Sequence, residues 1–150
     1  MREGDPRVLF PGYVFGRGYW ELQRHAYVFV APTEVGGTHP VILEALAAGN
    51  CVLVNDHAPN VETVGDAGVT FSGKEGVPSL TAQLERLFDE PELVEHYRDQ
   101  ARERAKRYSW DAVTDEYEQL LVNACRMGGP GGLPVELVDS ESREPLAGTR

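Results

Sequence analysis

The sequence predicts an α/β fold: part of a doubly wound parallel sheet, followed by C-terminal helices. Three observations lead there. The runs YVFVA (27–31) and CVLVN (51–55) are apolar throughout rather than alternating, as in strands buried on both faces. Stretches of helical spacing separate the strand-like runs, the order that produces parallel pairing. From Ser79 onward the spacing is helical only.

Taken in order, RVLF (7–10) predicts a short strand stopped by Pro11-Gly12, and YWELQRHA (19–26) has helical spacing. YVFVA (27–31) is aromatic and β-branched, hence a strand. Residues 38–48 form a helix closed by Gly49, and CVLVN (51–55) is the next strand. VETVGD (61–66) makes one or two helical turns and VTF (69–71) a fourth strand. LTAQLERLFD (80–89) puts Leu80, Leu84, Leu87 and Phe88 on one face. Pro91 opens a helix reaching about Lys106, and Ser109 caps another over 110–125. Residues 128–150 are rich in Gly and Pro without a pattern and are expected to be a disordered tail, leaving 1–127 as the folded part.

At 150 residues the chain has the size of one domain or a large piece of one. Its formal net charge is −10, from 14 Lys+Arg against 24 Asp+Glu. Such a surface repels nucleic acid and anionic membranes, so neither is expected as a partner. No apolar run reaches the length of a membrane span, and residues 1–10 do not read as a signal peptide. Cys51 and Cys125 read as small buried or semi-buried side chains in a reducing cytoplasm. No His/Cys spacing suggests zinc, so no metal or cofactor is expected.

The stretch TEVGGTHPVILEALAAGN (33–50) carries the chemistry. A helix start leaves backbone N–H groups unpaired and partly positive. Gly36 and Gly37 have no side chain to obstruct an approaching anion, Thr38 can cap, and Pro40 suits the first turn. The result is either an anion site at the carboxyl end of strand 27–31 or a helix that merely begins at a glycine turn. Glu44 is either an acceptor for a pair of sugar hydroxyls or a solvated helix glutamate. His39 divides between phosphate contact and polar cap. His57 reads as an exposed loop histidine that could line the cleft, His25 and His96 as solvated, and Trp20 and Trp110 as packing residues.

Four ordered segments carry a resemblance: VLFPGYV, AYVFVAPTEVGGTHPVILEALAAGNCVLVND, NVETVGDAGVTF and RYSWDAVTDEYEQLL. From about Val8 to Leu121 the chain resembles the C-terminal, nucleotide-sugar-binding, Rossmann-like half of retaining GT-B-fold glycosyltransferases. The central block is similar to the "EVGGTHP…EA" variant of a bacterial subset. The resemblance implies a transferase of polysaccharide biosynthesis that takes a nucleotide diphosphate sugar. It implies that Glu44 holds the ribose hydroxyls and that the amides around Gly36, Gly37, Thr38 and His39 meet the diphosphate or donor sugar. Val14, in the Gly12-Tyr13-Val14 loop, would lie near the base, and Glu62 would be mainly structural.

The sequence departs from that pattern twice. The family's E-x7-E, counted back from Glu44, lands on Gly36, and the nearest acid is Glu34, giving E-x9-E. The family's basic "GR…K" pair and its acceptor domain have no counterpart in residues 1–7. The expectation is therefore an N-terminally truncated donor-binding part, its catalytic residues unknown, completed by an acceptor domain or partner chain. The second hypothesis is a non-catalytic nucleotide-sugar-binding module. The four strands are expected to match the third to sixth of a 3-2-1-4-5-6 sheet. Strand 7–10 would then pair directly with 27–31, or the chain would self-associate through the open edge of 27–31.

Overall fold

The computed structural model describes residues 5–126; the tail expected over 128–150 lies outside the described residues. The elements are α1 (Arg17–His25), β1 (Val28–Ala31), α2 (Pro40–Ala47), β2 (Cys51–Asn55), α3 (Ala58–Val64) with a 3-10 turn (Gly65–Ala67), β3 (Gly68–Phe71), α4 (Val77–Asp89), α5 (Pro91–Ala105) and α6 (Trp110–Arg126). They fall into two compact units that divide after Ser109. The second contributes α6, an amphipathic helix that leaves Trp110 and Cys125 exposed. The burial expected of Cys125 and the packing expected of Trp110 are therefore not met among the described residues.

In the first unit three strands pair in parallel in the order β1-β2-β3. Val30 lies opposite Leu53, and Leu53 opposite Val69. All five residues of β2 are buried, as its uniformly apolar reading predicts. Alternate side chains point to opposite faces of a strand, and two cores follow from that. Phe29, Ala31, Val52 and Val54 pack against Ile42, Ala45 and Leu46 of α2, with Val64 and Ala101. Val28, Val30, Cys51, Leu53, Val69 and Phe71 pack against Leu80, Leu84 and Leu87 of α4, with Val94 and Tyr97. The sheet is thus covered on both faces, the doubly wound arrangement. Phe88 lies outside this core; it is exposed and stacks on Tyr27 with ring centroids 5.5 Å apart.

The first expected strand, 7–10, does not form. Val8, Leu9 and Phe10 are exposed and have no ladder partner among the described residues. The run lies between Pro6 and Pro11. It begins in a turn in which the Val8 N–H donates to the Asp5 carbonyl at 3.0 Å and Arg7 pairs with the Asp5 carboxylate. Four apolar residues without a neighbouring strand cannot satisfy their backbone groups as a ladder. The pairing of 7–10 with 27–31 is accordingly not made, and β2 is the only described strand beside β1.

Helix α5 runs past the amino ends of the strands and supplies residues to both cores. Its arginines bind backbone there. Arg98 donates to the carbonyls of Ala26 and Tyr27 at 3.1 and 3.3 Å, and Arg104 to that of Thr63 at 3.0 Å. Arg102 lies against Gly49, where an added Cβ would sit 2.7 Å from its Nε and where φ is +77°. Both the left-handed backbone and the close side chain favour glycine there, between α2 and β2.

Burial pushes the Cys51 thiol up from 9.0 to about 11, with the Arg98 cation opposing part of the shift. The folded state therefore holds this proton more tightly than the unfolded chain. The resulting stability, about 2–3 kcal/mol, is fully present below pH 9 and is lost as pH rises through about 11. Chemical denaturation from pH 8 to 11 should show a steeper alkaline loss for the wild type than for Cys51→Ala, and parallel curves would refute the assignment.

Candidate functional site

Parallel strands end together, so the loops after β1, β2 and β3 gather at one edge of the sheet, the edge where open α/β sheets hold ligands. Side chains tie these loops to one another. Asn60 Nδ2 donates to the Thr33 carbonyl at 2.8 Å, and His57 Nε2 lies 3.1 Å from the Gly36 carbonyl. Asp56 Oδ1 accepts from the Gly73 N–H at 2.9 Å, joining the loop after β2 to that after β3. His57 is half-buried and bonded, not the free loop histidine its sequence context suggests.

The glycine loop leads into α2. The residue preceding its first turn is His39, not Thr38; neither caps it with a side chain, and Pro40 occupies the first turn as expected. Thr38 is exposed instead. Gly36 has φ +124°, and a Cβ there would approach His39 Cε1 to 3.0 Å. At Gly37 an added Cβ would meet nothing within 4 Å, so that side of the loop is open. His39 Nε2 is buried with no hydrogen-bond partner among the described residues, an unusual state for a polar atom inside a protein. An uncapped helix start, an open glycine and an unpaired imidazole nitrogen therefore share one short segment.

Glu44 lies one turn further along α2 and is not simply solvated. The Tyr19 hydroxyl of α1 donates to its Oε2. Gln23 Nε2 donates to the Tyr19 oxygen at 3.1 Å, and Asn50 Nδ2 to Gln23 Oε1 at 3.2 Å. The chain Asn50–Gln23–Tyr19–Glu44 thus donates in one direction and ends on a carboxylate, so each bond polarises the next. Burial, and then the Glu44 bond, raise the Tyr19 pKa above its ordinary 10.0. Val14 is half-buried near the start of α1; an added Cβ at Gly18 would lie 3.2 Å from its Cγ1. Helix α1 therefore supports both Val14 and Glu44.

Of the residues singled out in the sequence, Gly36, Gly37, Thr38 and His39 lie together on the loop into α2. Glu44 follows on the same helix, and Glu34 is exposed on the loop after β1. Sequence patterning does not mark Tyr19, Gln23, Asn50, Asn55 or Asn60 as site residues; their signal is that of polar residues within or beside apolar runs, in YWELQ, GNCVLVN and APNVET. A separate cavity lined by Asp66, Ala67, Gln100, Glu103, Arg104 and Arg107 involves α5 and the turn before β3, and shares no residue with this cluster. Among the described residues no group of three or more His, Cys, Asp or Glu could hold a metal ion, and no helix is long and apolar enough to cross a membrane.

Removing the Tyr19 hydroxyl takes a donor from Glu44 and leaves the Gln23 amide without its acceptor. Tyr19→Phe should cost about 1–3 kcal/mol in urea denaturation, the range for unpairing a buried polar group. The cost should shrink in a Glu44→Ala background, and strict additivity would show that the two side chains do not interact.

The sequence profile of the family described as Glycosyl transferases group 1 matches residues 1–90. The match takes in α1, the glycine loop, Glu44 and all three strands. No curated protein matches the chain. With more than half of its 150 residues matched, and with an α/β sheet that carries the glycine loop at its carboxyl edge, the chain belongs to the glycosyl transferases of group 1.

Proposed function

We propose that the chain is the donor-binding part of a retaining, GT-B-type glycosyltransferase that moves a hexosyl group from a nucleotide diphosphate sugar to an acceptor. One observation carries the reading: the uncapped start of α2 coincides with an open Gly37 and with the buried, unpaired His39 Nε2. Such a segment suits an oxyanion that accepts from backbone amides and the imidazole together. In this reading Gly36, Gly37, Thr38 and His39 face the diphosphate. Glu44, its rotamer held through Oε2 by Tyr19, accepts from the ribose hydroxyls. Val14 borders the base. Glu34 is the nearest acid to the first position of the family's paired glutamates and is assigned to the donor sugar.

The reaction breaks the bond from the anomeric carbon to the diphosphate oxygen and forms one to the acceptor hydroxyl oxygen on the same face. The acceptor's proton passes to the departing phosphate. Amides aimed at the charge that develops on the leaving group stabilise this step most effectively when they are fixed beforehand. We assign residues 1–127 to the donor half. The acceptor face, and cations to neutralise the diphosphate, belong to another domain or a partner chain, with the free edge of β1 as a place for association. The alternative is a module that binds the nucleotide sugar without transfer.

Two outcomes are expected. In calorimetric titrations with a panel of nucleoside diphosphates, Gly37→Val and Glu44→Ala should each lose about 1.5–3 kcal/mol of binding, the range for a hydrogen bond to a charged group. Unchanged affinity in both would remove the site assignment. Incubated with labelled nucleotide sugars and mixed acceptors, the chain by itself should yield no glycoside above background, whereas clear turnover by a verified monomer would show that no partner is required.

A further inference from the structure

The two side chains that reach from the β2–α3 segment to the glycine loop both end on carbonyl oxygens: Asn60 Nδ2 on Thr33 at 2.8 Å and His57 Nε2 on Gly36 at 3.1 Å. A trans peptide is planar, so its C=O and the next residue's N–H point in opposite directions, and no cis bond occurs among the described residues. Drawing the Gly36 carbonyl toward His57 therefore turns the Gly37 N–H away from α3. Drawing the Thr33 carbonyl toward Asn60 turns the Glu34 N–H away in the same sense. At Gly37 an added Cβ would meet nothing within 4 Å.

We propose that His57 and Asn60 are positioning residues for phosphate binding, which aim the amides of the glycine loop at the ligand by holding the opposite ends of their peptide planes. The role rests on the donor-site reading above. Two consecutive glycines otherwise have wide backbone freedom, and a ligand that had to order them would lose affinity to that cost. The clamp is anchored on the end of β2. The His57 backbone N–H donates to Asn55 Oδ1 at 2.9 Å, and Asn60 Nδ2 also lies 3.4 Å from the Asn55 carbonyl. Asn55 ends β2, and both asparagines are buried, so the central strand orients the loop through them. Because a carbonyl only accepts, the His57 nitrogen facing Gly36 carries the proton. The ligand class this suits is a phosphate or diphosphate that takes backbone N–H bonds from the face of the loop away from α3.

The test uses the 150-residue chain, a panel of UDP, GDP, ADP and dTDP, and the variants His57→Ala, His57→Gln and Gly37→Val. Glutamine can place its Nε2 amide close to where the imidazole Nε2–H lies. For the best binder of the panel, His57→Ala should weaken affinity about tenfold, the worth of one hydrogen bond. His57→Gln should restore it, while both variants keep the wild-type melting temperature. Without ligand, hydrogen exchange at the Gly37 amide should speed up in His57→Ala and return toward the wild-type rate in His57→Gln. A purely structural histidine would lower the melting temperature of both variants with no rescue of binding by glutamine, and that result overturns the role. So does a loss of binding in Gly37→Val alone, which leaves the donor-site reading intact. If the wild type binds none of the four nucleotides, the donor-site reading fails and this role with it.

Discussion

The burial of β2 on both faces is the constraint on which the rest of the first unit depends. Cys51 to Asn55 are wholly inside, and an apolar side chain gains roughly 1.5–3 kcal/mol when fully buried. A strand with no solvent face must have strands on both edges and helices on both sides. Here β1 and β3 flank it in parallel, α2 and α3 cover one face, and α4 covers the other. Parallel pairing in turn requires a helical crossover between successive strands, and all the crossover loops that leave the strand ends emerge at the same edge.

The two edges of the sheet are finished by different chemistry. At the amino edge, arginines of α5 bind carbonyls that precede the strands, which closes that end with charge-assisted bonds from long side chains. At the carboxyl edge short side chains do the work, because the loops lie close together. Asn60, His57 and Asp56 each reach one loop from the next. Amide and imidazole donors used on carbonyls leave backbone N–H groups on the far side for something else.

Glu44 shows how local and tertiary effects divide. In α2 by itself it would be a surface glutamate near the positive end of the helix, worth a few tenths of a kcal/mol. Tyr19, 25 positions earlier in the chain, makes it the terminus of a polar chain that begins at Asn50. Helix α1 is thereby tied to Glu44 although its own sequence looks like an ordinary amphipathic helix.

The sequence by itself determined the sheet, its parallel sense, the helices and the place of the glycine loop, because these follow from periodicity and from the conformational limits of Gly and Pro over a few residues. The runs 27–31 and 51–55 could bury all their side chains only inside a two-faced sheet, and Gly36-Gly37 before Pro40 could only be a loop entering a helix. What tertiary structure decided depended on neighbours. RVLF has the composition of a strand, but with no strand beside it the local turn at Asp5–Val8 prevails. Thr38 could cap α2, yet the helix starts one residue later. Tyr19, His57 and Asn60 act through partners 21 to 27 positions away, on carbonyls and a carboxylate, and no spacing rule within one element reports a contact made across two.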